Sequence, residues 1–226
     1  MIGPIRRRVP RPVLPGRADD DTRKSVPRPV LPGRVTCAGN GADMAIRKRR
    51  RIFNEPGHAH YLTFSCMDRL PLLSRGRTRR WVVDALDTAR QRHDVSLWAY
   101  VIMPEHVHAL IWPRQGTCNL PRFLHDLKRP VSWRARRWLE EEGEAVWLRR
   151  LAVRRGRRDV FRFWLPGGGY DHNVWEDRTV HDVVNYIHNN PVRRGLATTP
   201  CDWPWSSARF WAGLDGAVLE MDPIPV

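Results

Sequence analysis

The segment LWAYVIMPEHVHALIWP, residues 97–113, leaves the chain few choices. Two runs of branched and aromatic residues flank Pro104-Glu105. Proline has no N–H to give to a β-ladder, so it belongs in a turn, and the runs on either side are two strands joined by that turn. Side chains alternate along a strand, so His106 and His108 point to one face and Val107 to the other. A pair of imidazoles on a rigid strand can chelate one divalent cation. It can equally face solvent or hydrogen-bond to neighbours. The segment lacks the His-Glu-x-x-His of a helical zinc hydrolase.

The remaining elements alternate between the two periodicities. HYLTFSCM (60–67) reads as a strand. RTRRWVVDALDTARQRHD (77–94) reads as an amphipathic helix with Trp81, Ala85, Leu86 and Ala89 on one face. LPRFLHDLKRPVSWRARRWLEEEGE (120–144) is helical, with a break expected at Pro130, and VWLRRLAVRRGRRDV resists placement. FRFWLPGGGYDHNVW is a short strand or loop around a glycine turn. TVHDVVNYIHNNP is a helix that Pro191 stops, and DWPWSSARFW packs late in the chain. The order β-α-β-β-α-(β)-α predicts an α+β fold: a ferredoxin-like antiparallel sheet with helices packed on one face.

Charge narrows the partners. The 226 residues carry a formal charge of +15. A chain so basic meets a polyanion, and nucleic acid is the first candidate. No run approaches the length of a membrane span, no basic amphipathic helix suits a membrane surface, and the basic N-terminus lacks the apolar core of a signal peptide, so no membrane partner is expected. Four scattered cysteines without a Cys-x-x-Cys fit a reducing cytoplasm. Residues 1–43 stand apart: VPRPVLPGR occurs twice, at Val9–Arg17 and Val26–Arg34, among dense Pro, Gly and Arg. Such a tail buries too little to order itself. Alternatively it is a mis-assigned start, with Met44 opening the coding region. Its nine Arg and Lys against four Asp account for only +5 of the total, so the charge argument survives its removal.

In the helix near residue 186, Val180, Val183, Val184 and Ile187 form the apolar stripe. Tyr186 and Asn190 lie one turn apart on its flank. Tyr186 can supply a phenol oxygen and Asn190 a carbonyl ligand for a hard cation such as Mg²⁺ or Mn²⁺. A core tyrosine and a helix-terminal asparagine are the ordinary readings of each alone. Glu105 either tunes His106, accepts a proton, or only makes the turn. Tyr170, after the glycine run, is a rival nucleophile ranked below Tyr186.

Four motifs in order, MPEHVHALIW, FWLPGGGYDHN, YIHNNPVRRGL and DWPWSSARFW, resemble the REP-associated tyrosine transposases, members of the single-tyrosine HUH superfamily. The resemblance spans about Arg47 to Trp211. It implies a ferredoxin-like fold of the HUH single-strand nuclease type, a divalent metal (Mg²⁺ or Mn²⁺) on His106, His108 and Asn190, and Tyr186 as nucleophile. The implied activity is metal-dependent cleavage and strand transfer of single-stranded DNA through a 5′-phosphotyrosine, on hairpin-forming repeats. A catalytically retired DNA-binding protein of the same fold is the second reading, against which the intact set of four residues speaks. An RNA-binding protein of ferredoxin-like fold lacks its aromatic signature.

Residues 44–215 then form the catalytic domain and 216–226 a C-terminal tail. Single-stranded or hairpin DNA is the expected partner, in the cytoplasm at the nucleoid, with the protein a monomer or homodimer. Candidate DNA contacts are the arm Arg47, Lys48, Arg49, Arg50 and Arg51, and the later set Lys128, Arg129, Arg134, Arg136, Arg137, Arg154, Arg155, Arg157 and Arg158. Lys128 to Arg158 holds eleven Lys and Arg against four Glu. Trp133, Trp138 and Trp147 are interleaved there, able to stack on bases, although helix core is the expected place for most of them. The stretch from Gly143 to Arg158 is longer and more basic than the family pattern leads one to expect.

Overall fold

The computed structural model describes residues 56–224 except 168, 175 and 176. The repeat-bearing segment 1–43 and the basic arm Arg47–Arg51 lie outside the described residues. Strands β1 (Ala59–Ser65), β2 (Val95–Ile102), β3 (His106–Pro113) and β6 (Tyr170–Val174) form one antiparallel sheet in the order β2-β3-β1-β6. Helix α1 is Gly76–Arg92, α2 Leu120–Glu141, α3 Ala145–Arg150, α4 Asp177–Arg193 and α5 Ala208–Trp211. Strands β4 (Ala152–Arg155) and β5 (Arg158–Phe161) make a separate hairpin turning at Gly156, which resolves the stretch the sequence left unplaced. The βαββαβ core is the ferredoxin-like α+β arrangement. Among the described residues no helix is long and apolar enough to cross a membrane.

Helices cover both faces of the sheet, where the sequence led us to expect one. Leu62, Phe64, Val107, Ala109 and Ile111 face α1 and α2, which bury Val82, Leu86, Phe123, Leu127 and Val131 against them. Trp98, Ala99, Val101, Met103 and Leu110 face the other way, against Val180, Val184 and Ile187 of α4. Strand β2 is buried along its whole length and changes parity midway. A bulge between Leu97 and Ala99 sends Val95 and Leu97 to the first core but Trp98 and Ala99 together to the second.

Two prolines expected to end or break helices do neither. Pro130 sits inside α2, which continues to Glu141. An interior proline costs about 3 kcal/mol, and each fully buried apolar side chain returns about 1.5–3 kcal/mol. The stripe Phe123, Leu127, Val131, Ala135 and Leu139 straddles Pro130 and outweighs it. Pro191 likewise lies within α4, whose end is closed by Gly195 at φ 66° and by the Leu196 N–H donating to the Pro191 carbonyl at 2.9 Å.

Strand β2 is a sheet edge, and two later segments cover it. Ile102 N donates to Trp205 O at 2.8 Å, and Ser207 N to Tyr100 O at 3.0 Å, so DWPWSS adds a short length of ladder. The segment after residue 215, expected as a tail, docks beside it: Met221 is buried in the first core and Asp222 N donates to Leu97 O at 3.0 Å.

Candidate active site

The register of β1 against β3 pairs Thr63 with His108 and Ser65 with His106. Leu62 and Phe64 are committed to the first core, so Tyr61 and Thr63 must face α4 together with the two histidines. The Nε2 atoms of His106 and His108 converge to 3.0 Å. His106 Nδ1 donates to Glu105 Oε1 at 3.1 Å, which leaves its Nε2 as a lone pair. His108 Nδ1 lies 2.8 Å from the Tyr61 hydroxyl and 2.7 Å from Thr63 Oγ1. Hydroxyls can donate or accept, so they accommodate either tautomer of His108. With the proton on Nε2, His108 donates to His106. With it on Nδ1, two lone pairs face each other and call for a cation.

Burial depresses both imidazoles, His108 to about 3, while Glu105 partly offsets the effect at His106. Both are therefore neutral, the form that ligates metal, across the physiological range. Burial also pushes the Glu105 carboxyl up, but the hydrogen bond from Arg194 (2.7 Å) and the neighbouring His106 outweigh it, leaving it below the usual glutamate range. Arg194 follows α4 directly, so this contact ties the end of that helix to the β2–β3 turn.

Helix α4 brings Tyr186 to the pair. Its ring meets His108 edge-on at 5.8 Å between centroids, and Tyr61 at 6.1 Å. The Arg193 guanidinium lies 5.1 Å over the same ring. Tyr186 is 42 % exposed, whereas Asn190, one turn later, is 7 % exposed. Asn190 Nδ2 is buried with no hydrogen-bond partner among the described residues. Turning that amide over would put its carbonyl oxygen in the same unpartnered place, where it suits a cation. Two ligand atoms about 2.1 Å from one ion and about 90° apart are separated by about 3.0 Å, which matches the histidine pair. Among the described residues no three His, Cys, Asp or Glu side chains gather. The two imidazoles are thus the convergent donor atoms here, with Asn190, one helical turn beyond Tyr186, as the candidate third side chain.

Tyr61, Thr63, Arg193 and Arg194 belong to this site and were not foreseen. Polar residues two apart in a strand whose other face is apolar were the available signal for Tyr61 and Thr63. The side chain of Tyr170 lies outside the described residues.

The basic candidates divide. Arg134, Arg136, Arg137 and Arg154 are held in surface ion pairs with Asp84, Glu140, Glu141 and Asp159. Lys128, Arg129 and Arg155 line a cavity on the opposite side of the sheet, and Arg157 and Arg158 are exposed on the β4–β5 hairpin. Trp133 is 57 % and Trp147 37 % exposed, each under an arginine, which corrects their expected place in the core.

No known family model matches the chain. A Haemophilus influenzae protein named "Putative REP-associated tyrosine transposase" is 24% identical over 143 residues, 60% of this chain and 76% of that protein. A second protein of the same organism, without an assigned function, is 27% identical over 103 residues, 41% of this chain and 52% of its own. A solved structure of a REP-associated tyrosine transposase bound to a REP hairpin superposes with a TM-score of 0.55 at 19% identity, covering 79% of this chain and 94% of that one. Over part of its length in sequence, and in fold, the chain is similar to REP-associated tyrosine transposases.

Proposed function

We propose that this protein is a DNA-processing enzyme of the transposase type that cuts and rejoins single-stranded DNA at hairpin-forming repeats. The observation that carries the reading is the edge-on packing of the exposed Tyr186 ring against His108, the inner member of a convergent histidine pair. The sequence relative's name supports a transposase, and the hairpin-bound structure of similar fold supports hairpin DNA as partner.

Tyr186 Oη attacks the scissile phosphorus and loses its proton. The P–O3′ bond breaks, the departing strand keeps a 3′-OH, and the other strand stays as a 5′-phosphotyrosine. The phosphodiester's bond energy is kept in that ester, so a 3′-OH from another strand can reverse the step and join the two. His106, His108 and Asn190 would hold a divalent cation, which supplies polarisation of the phosphate and stabilises charge on the leaving oxygen. Arg193 keeps the tyrosine ring in place and brings a positive charge beside the phosphate.

A cleavage assay tests this. Wild-type and Tyr186→Phe protein are incubated with 5′- and 3′-labelled hairpin DNA from the gene's own flanks, with Mn²⁺, Mg²⁺ or EDTA. The expected result is a covalent adduct on the 5′-phosphate side that requires metal and is absent in Tyr186→Phe. Tight hairpin binding with no adduct in any metal would instead identify a retired binder.

A further inference from the structure

The histidine pair and Tyr186 leave unused a cavity of about 790 Å³ between α2, the β4–β5 hairpin and the loop entering β6. It lies on the Leu62 side of the sheet, whereas Thr63 and the histidines lie on the other. Its walls are apolar and aromatic, with Leu124, Phe161 and Trp164. Its rim carries Lys128, Arg129, Arg155 and Arg162, none of them in an ion pair among the described residues. Lys128 Nζ donates to Gly167 O at 3.1 Å and sits 5.0 Å over the Phe64 ring, half withdrawn from water.

Asp171 closes the inner end. Its side chain is only 9 % exposed, and Oδ1 is 3.2 Å from His60 Nδ1. Its Oδ2 is buried with no hydrogen-bond donor among the described residues. Gly169 allows this approach: a Cβ there would strike the Thr63 carbonyl, and its φ of 76° suits glycine. Asp171 lines the cavity, and its orphaned carboxylate oxygen, closed off from water beside it, costs free energy for want of a donor.

The occupant must therefore bring a flat apolar body, a hydrogen-bond donor for Asp171 and an anionic group for the rim. A nucleotide has all three, and the cavity falls within the range of about 300–1,000 Å³ typical of ligand sites. A carboxylate accepts from an exocyclic amine such as cytosine N4, whereas thymine's one donor, N3–H, is flanked by two carbonyl oxygens that a carboxylate repels. We propose that this cavity binds an unpaired, amino-bearing base of the DNA strand, with its ring on the aromatic wall, its amine donated to Asp171 and its phosphates on the basic rim. The inference rests on the reading of the protein as one that handles single-stranded DNA. Strand β6 is the sheet edge, so one strand of DNA passing around it can reach both faces.

Fluorescence anisotropy with labelled 12-mers of dC, dA and dT tests the proposal, using wild type, Asp171→Asn and Ser132→Trp. Ser132 lines the cavity on α2, and tryptophan there fills it. Wild type should prefer dC or dA over dT by about tenfold, the usual size of one well-made base contact. Asp171→Asn, which donates as well as accepts, should erase that preference, and Ser132→Trp should weaken dC and dA without weakening dT. Melting temperatures near wild type establish that both variants fold, and Ser132→Trp stands as a test if Asp171→Asn does not. Equal binding of all three oligonucleotides by wild type, or a preference that survives both variants, would overturn the proposal. The cleavage assay above separates the two readings: hairpin adducts without a base preference sink only the cavity, and a base preference without adducts sinks only the chemistry.

Discussion

The Nε2 atoms of His106 and His108 lie 3.0 Å apart. That separation is held by what stands behind each ring, Glu105 for the first, Tyr61 and Thr63 for the second. For His108 to offer a lone pair at Nε2, its proton must sit on Nδ1 and one hydroxyl must accept it. The double substitution Tyr61→Phe and Thr63→Val removes both acceptors and leaves an unsatisfied Nδ1–H. Outer partners of this kind are worth about 10–100-fold in metal affinity. Mn²⁺ titration calorimetry at pH 7 should record a loss of that order, with His108→Ala abolishing the heat altogether. Unchanged Mn²⁺ affinity in the double variant would mean that the hydroxyls only pack.

The Glu105 carboxylate serves two elements at once, accepting from His106 on β3 and from Arg194 just beyond α4. Arg194→Met should loosen the helix end that carries Tyr186 and Asn190 while sparing the histidine pair. Adduct formation is expected to fall about 10-fold or more, since small misplacements of reacting groups are costly. Glu105→Gln keeps the volume but weakens both bonds. It should lower Mn²⁺ affinity, which Arg194→Met affects less. Equal effects of the two changes on metal binding would show that the carboxylate acts only as part of the turn.

The hairpin bearing His106 and His108 was legible because its alternation and its Pro-Glu turn are local signals. The flank of α4 with Tyr186 and Asn190 was legible for the same reason, its valine stripe being periodic. Pro130 and Pro191 misled because propensity is local, whereas the buried stripes that carry both helices through are tertiary. The service of Tyr61 and Thr63 to His108 depends on cross-strand register, which no window of β1 contains. The bulge in β2 that sends Trp98 to the α4 side is likewise a product of pairing. Arg194 stands 89 residues from Glu105, and only the docking of α4 brings them together.

His188 gives the fold an acid limit. It is buried in α4, with Nε2 2.8 Å from Ser207 Oγ in the segment that covers β2. Burial pushes its imidazole down to about 4. The unfolded chain takes up the proton near pH 6.5, the folded chain only near 4, so stability is full above 6.5 and falls as the pH drops toward 4. At about 1.4 kcal/mol per pH unit, this group can remove up to about 3 kcal/mol. His188→Gln can keep a bond to Ser207 without a charge to bury. Urea unfolding at pH 7 and pH 4.5 should show a smaller drop in the variant than in wild type. An identical drop in both would assign the acid sensitivity to other groups.

Asp222 holds the last described segment to the sheet. Its Oδ2 accepts from the Leu97 N–H at 2.8 Å and from Arg90 Nη1 at 3.1 Å, and its Oδ1 accepts from Arg114 Nη2 at 2.6 Å. The Leu97 amide lies on the open edge of β2 at the bulge, where no neighbouring strand can take it. Removing the carboxylate leaves that N–H without its acceptor and two guanidinium groups without their anion. Hydrogen bonds involving charged groups contribute about 1.5–3 kcal/mol each, and the partly exposed Arg114 contact less. Asp222→Ala should therefore cost on the order of 2–3 kcal/mol in urea unfolding at pH 7. Asp222→Asn keeps an acceptor for Leu97 and should cost less. Truncation after residue 215 also exposes the site of Met221 and should cost more than either. If the truncated chain unfolds at the wild-type urea concentration, the segment contributes nothing to the fold and its docking against β2 is incidental.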